Sequence, residues 1–141
     1  MDVSLSDLVT CPRCGPTYGL VLLPHDVAER RVSEGVLGCA NCRERYPIAG
    51  GVADLRPGGG EAGQASVEPG VGDRESAIRL AALMGLSEVR GVVVVAGPAA
   101  IQARELAALL DGVEVVAIDG GDGGSAGVSP VRAQGVIPFR T

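Results

Sequence analysis

Two Cys-x-x-Cys pairs, Cys11-Pro-Arg-Cys14 and Cys39-Ala-Asn-Cys42, are separated by 24 residues and contain all four cysteines of the chain. No other feature restricts the fold as much. A two-residue gap lets both sulfurs of a knuckle face one ion while backbone N–H groups turn toward them. Two such knuckles on separate turns supply a tetrahedral shell of four thiolates. Gly15 follows the first knuckle, where a tight turn favours positive φ. Arg43 holds the equivalent place after the second, and it suits that conformation less well. Zinc is the ion expected at Cys11, Cys14, Cys39 and Cys42, and a shell of four sulfurs makes it structural. Two disulfides, or a redox-active pair, are the competing readings. Disulfides need an oxidising compartment, and the first ten residues, with two Asp and no basic residue, do not read as an export signal. A redox pair usually opens a helix after a strand, whereas Gly15-Pro16 follows here. His25, between the knuckles, is expected at the surface.

A metal also answers a packing problem. Apolar residues make up 46% of the 141-residue chain but aromatics only 2%, so a core must be built from many small side chains. A segment of some 57 residues with few large side chains makes a poor core, and structural zinc sites contribute about 10–16 kcal/mol of apparent binding energy in finger peptides. The 12 basic residues are all Arg, and the net charge of −5 lacks the basic footprint of an autonomous nucleic-acid binder. No stretch approaches the roughly 20 apolar residues that span a bilayer. The expectation is a cytoplasmic protein.

Composition divides the chain into three. Residues 1–57 hold the cysteines. Residues 58–72, rich in glycine and almost without apolar periodicity, have the composition of a flexible linker. Residues 73–141 show periodic apolar patterning. Asp73 can cap a helix in which Ala77, Leu80, Ala81 and Met84 share a face before Gly85 stops it. Val92–Ala96 is a continuous apolar run that suits a strand buried on both faces. Gly97-Pro98 turns into a helix ending near Leu110, and Val113–Ile118 forms a second such strand closing on Asp119. Two apolar strands joined by a helix predict a parallel βαβ unit. Val131–Ala133 and Val136–Phe139 can add one short strand. The expected architecture is an α+β zinc ribbon, a small antiparallel sheet around a zinc ion held by four cysteines, followed by a partial α/β Rossmann-like βαβ unit.

Residues 6–57 resemble the small zinc-ribbon family that activates tRNA, rRNA and release-factor methyltransferases. The resemblance is carried by Leu8-Val9-Thr10-Cys11-Pro12-Arg13-Cys14, by Gly38-Cys39-Ala40-Asn41-Cys42, and by the run from Arg45-Tyr46-Pro47-Ile48 through Gly51-Val52 to Leu55-Arg56-Pro57. Gly50 and Ala53 depart from that family's usual acidic residue and Pro. The resemblance implies an adaptor that binds a methyltransferase by strand addition, with Tyr46, Ile48 and Val52 as interface or core residues. Residues 75–141 resemble the opening of a class I S-adenosylmethionine methyltransferase, in which Gly97 would lie at the cofactor turn and Asp119 would hold the ribose hydroxyls. The departures are large: the turn reads Ala96-Gly97-Pro98-Ala99-Ala100, Val94 stands for the first-strand acid, and Gln134 for the adenine-contacting Asp. Asp119 reads equally as a turn residue ahead of glycines. The sequence therefore favours a zinc-binding adaptor paired with a methyltransferase or a second copy of itself. A reduced S-adenosylmethionine-dependent methyltransferase is the alternative, and an RNA-associated ribbon a third class.

Overall fold

The computed structural model describes residues 1–58, 70–86, 90–120, 125–133 and 138–140. Eight strands form one curled mixed sheet in the order β1-β2-β3-β4-β5-β8-β7-β6. The first five, β1 (Thr10–Cys11), β2 (Gly15–Ala28), β3 (Arg31–Cys39), β4 (Arg45–Ala49) and β5 (Val52–Asp54), run as a sequential antiparallel meander. The last three, β6 (Gly91–Ala96), β7 (Val113–Ile118) and β8 (Val128–Arg132), are mutually parallel. Among the described residues two short α-helices accompany the sheet, α1 (Arg74–Leu83) and α2 (Ala103–Leu109).

This overturns the expectation of a zinc ribbon beside a Rossmann-like unit. β5 and β8 pair in parallel, Ala53 opposite Val131 and Asp54 opposite Arg132, so the meander and the parallel strands are one sheet. The Leu55 N–H donates to the Arg132 carbonyl at 2.8 Å and continues the seam. Side chains cross it as well. Arg31 on β3 makes a bidentate pair with Glu114 on β7, 3.1 and 3.2 Å, and also reaches the Val128 carbonyl. The Asp2 N–H donates to the Ser129 hydroxyl at 2.9 Å. One apolar cluster draws on both ends of the chain: Leu5, Val9, Leu37, Tyr46, Ile48 and Leu55 pack with Val116, Ile118 and Val131. Neither end closes its core alone, because the apolar face of the meander is completed by one face of β7 and β8.

The opposite face of the parallel strands carries the second cluster. Val113, Val115 and Ala117 of β7 and Val93 and Val95 of β6 pack under Ala77, Leu86, Ala103 and Leu106 from the helical side. β7 is thus buried on both faces, as its unbroken apolar run predicts. β6 is not. It is the terminal strand of the sheet, and on the face away from the helices Val92 packs against the first cluster while Val94 is 37% exposed.

Local signals act as expected at several ends. Asp73 caps α1 by accepting the Ser76 N–H at 2.8 Å, and Gly85 adopts φ 66° just past its C-terminus. Pro98 opens a 3₁₀ segment, Gly97–Gln102, that leads into α2, so the α-helix proper starts later than the Gly-Pro signal suggests. β8 includes Val131 but starts at Val128, and Phe139 forms an isolated antiparallel bridge to Val9. Most of the stretch read as a linker, residues 59–69, and Gln134 with residues 135–137 lie outside the described residues.

Gly120 is fixed by close approach: a Cβ there would stand 2.2 Å from the Ala100 Cβ and 3.2 Å from its carbonyl carbon. Gly120→Ala is therefore expected to push the 3₁₀ segment off the end of β7, at a cost of about 1–3 kcal/mol. Urea unfolding checks this. Adding Ala100→Gly should recover part of the loss, and a Gly120→Ala protein as stable as the parent would show that the contact is not there.

Candidate metal centre

The four cysteine sulfurs lie within 4.8 Å of one another, in the one such group of potential metal ligands among the described residues. Cys11 ends β1, Cys39 ends β3, and Cys14 and Cys42 stand on the turns that follow. Each knuckle turns through a left-handed residue: Gly15 at φ 91° after the first and Arg43 at φ 61° after the second. The second turn accepts the strained residue because its backbone is held, the Arg43 N–H donating to the Cys39 carbonyl at 2.9 Å and the Cys39 N–H to the Glu44 carbonyl at 3.0 Å. An exposed Arg13–Glu44 ion pair of 3.0 Å joins the two knuckles.

The sulfur separations suit a shared metal ion. Cys11 and Cys42 are 3.7 Å apart and Cys39 and Cys14 3.8 Å. Four sulfurs about 2.3 Å from one ion, at the corners of a regular tetrahedron, stand about 3.8 Å apart. A disulfide needs about 2.05 Å, and all four cysteines are free. Both of these contacts run between the knuckles, which suits one shared ion.

Electrostatics agree. Burial raises the Cys11 thiol, but hydrogen bonds from the Tyr46 hydroxyl and the Cys14 and Arg13 backbone outweigh it and bring Cys11 down to about 7. At Cys42 the Glu44 backbone contact lowers the thiol, yet burial and the neighbouring Cys14, Cys39 and Cys11 sulfurs push it up to about 12. Cys11 and Cys42 are thus pulled in opposite directions within one cluster, and a bound cation would favour the thiolate at both. The four cysteines form a site that can hold a metal ion.

The centre is built into the core. Cys11 and Cys39 are buried within the cluster that spans the seam, and Cys14 and Cys42 are half-buried at its rim. Tyr46 and Ile48, inward residues of β4, are 0% and 1% exposed, so both pack inside the sheet. Val52 is half-buried. The sequence pattern flagged Tyr46, but not that its hydroxyl stands 3.5 Å from the Cys11 sulfur. His25 is exposed on β2.

Gly97 and Asp119 sit at the ends of β6 and β7. Asp119 adopts φ 53°, and its Oδ1 accepts the Ala133 N–H at 2.9 Å, so its carboxylate ties β7 to the end of β8. Ala100 packs directly against Gly120 beside it. The contact to Ala133 gives Asp119 a part in holding the strand ends, and nothing among the described residues supports S-adenosylmethionine. The chain matches no family model, no curated protein and no solved structure. Among the described residues, no helix is long and apolar enough to cross a membrane.

Proposed function

We propose that the chain is a metal-organised binding module: the four cysteines hold one structural zinc ion, and the sheet that the ion stiffens serves as an adaptor for a partner protein. The observation that carries this reading is the cluster of four free cysteine sulfurs within 4.8 Å. Four sulfur ligands fill a tetrahedral shell and leave no position for water or substrate, which suits a structural ion. Tyr18, Val21, Leu23 and Val27 expose large side chains along β2, between 43% and 55% each. Val21 and Leu23, two residues apart, share one face of the strand and form an exposed apolar pair.

The resemblance of residues 6–57 to the activator ribbons makes a methyltransferase the partner to test first. Side-chain docking on β2 is favoured over a long added strand. Pro24 has no N–H to offer, and the register shifts on both sides of Asp26 interrupt the ladder. Purification of native complexes followed by mass spectrometry tests the assignment. A methyltransferase should co-purify with the chain and be lost with the exposed double substitution Val21→Asp, Leu23→Asp. A chain recovered alone, or paired only with itself, would overturn the methyltransferase assignment, and micromolar binding of S-adenosylmethionine by calorimetry would turn the reading toward an enzyme.

A further inference from the structure

Tyr46 is completely buried, and so is Cys11. A phenol in such a place needs a polar partner. The Tyr46 hydroxyl finds it in the Cys11 sulfur at 3.5 Å, and no buried side-chain nitrogen or oxygen among the described residues lacks a hydrogen bond. A metal-bound thiolate carries no hydrogen, so in the loaded site the phenol is the donor. A second side chain makes the same kind of contact at the rim, the Asn41 amide donating to the Cys14 sulfur at 3.3 Å.

Both donors come from the second half of the meander and both acceptors from the first knuckle. Asn41 lies between Cys39 and Cys42, and Tyr46 follows on β4, opposite Leu37. Each cysteine of the first knuckle thus receives one side-chain hydrogen bond from across the site. Such contacts draw charge from a thiolate and fix its orientation, and removing them typically costs about 10–100-fold in metal affinity. The buried contact should matter more, because water can replace the Asn41 amide but cannot reach Tyr46.

We infer that Tyr46, assisted at the rim by Asn41, is a positioning residue of the metal centre: its hydroxyl orients the Cys11 thiolate and draws charge from it, and so makes the site tighter and less reactive. The inference rests on the metal reading above. Tyr46→Phe tests it, since only one oxygen is removed and the ring still fills its place in the core. Zn²⁺ competition titrations of the full chain should show affinity about 10-fold weaker in Tyr46→Phe and about 3-fold or less weaker in Asn41→Ala. In protein loaded with Co²⁺, the sulfur-to-metal charge-transfer band should move to lower energy in Tyr46→Phe, because the thiolate becomes more electron-rich; a purely structural role would not move it. Unchanged Zn²⁺ affinity and an unmoved Co²⁺ band, in a variant that unfolds like the parent when metal-saturated, would overturn the role of Tyr46 and leave the metal reading intact. A parent protein that binds neither ion would overturn both.

Discussion

Stripping the metal, or replacing Cys39 with Ser, is expected to remove on the order of 5 kcal/mol of stability, enough to exhaust that of an ordinary domain. Cys11 and Cys39 are not surface ligands. They lie inside the apolar cluster that joins the meander to β7 and β8, with 0% and 4% exposure. Emptying the site leaves four sulfurs crowded within 4.8 Å, and the ends of β1 and β3 lose what pins them together. The effect has a defined pH dependence. Without metal, Cys11 keeps its proton up to about 7 and Cys42 up to about 12. Loading near neutral pH must therefore expel protons, the metal-free state binds more of them, and affinity weakens steadily as the pH falls. Elemental analysis of protein purified without chelators should find close to one zinc per chain. Competition titrations should show weaker binding at about pH 6 than at about pH 8, with protons released on loading. Chelator-treated protein with an unchanged urea midpoint would show that no ion supports the fold.

How much of this was legible depends on how local each signal is. The cysteine cluster could be read because a knuckle is a four-residue object with fixed chemistry, and Gly15 marked its turn. The cap at Asp73 and the stop at Gly85 are equally local. The β2–β3 hairpin gave no such signal. Its two-residue turn is Glu29-Arg30, at φ 48° and 67°, where Asn-Gly would ordinarily announce the connection. The long pairing of the flanking strands, from Leu20 opposite Cys39 to Ala28 opposite Arg31, holds those residues in a conformation they do not favour alone. The joint between β5 and β8 was harder still to see. Ala53 and Val131 are far apart in sequence, and nothing in either marks a parallel pairing. Glycine-rich composition after Pro57 suggested separation, whereas the apolar faces on either side of it need each other. Asp119 was visible as an acid at a strand end, a pattern that cannot tell a ribose ligand from a side chain tying down a neighbouring backbone; the contact to Ala133 gives it the second role.

The joint itself makes the other large prediction. Arg31 and Glu114 have side-chain exposures of 24% and 14%, and Ser129 donates to the same carboxylate. Arg31→Met keeps most of the stem's packing but leaves Glu114 to the Ser129 hydroxyl and the nearby amino terminus, without its guanidinium partner. The expected cost is about 2–3 kcal/mol, below the roughly 3–5 typical of a fully buried pair because both groups keep some water. Glu114→Gln preserves the shape and part of the hydrogen bonding, and should cost about 1 kcal/mol. What distinguishes one sheet from two separate units is how this loss spreads. The tyrosines lie in the meander and the helices beyond Gly72, so tyrosine fluorescence and helical circular dichroism report on opposite sides of the seam. With a shared core, urea should unfold both signals in a single transition, and Arg31→Met should lower both midpoints together. Separate transitions, with neither midpoint moved by Arg31→Met, would mean that β5 and β8 do not hold the two halves together in solution.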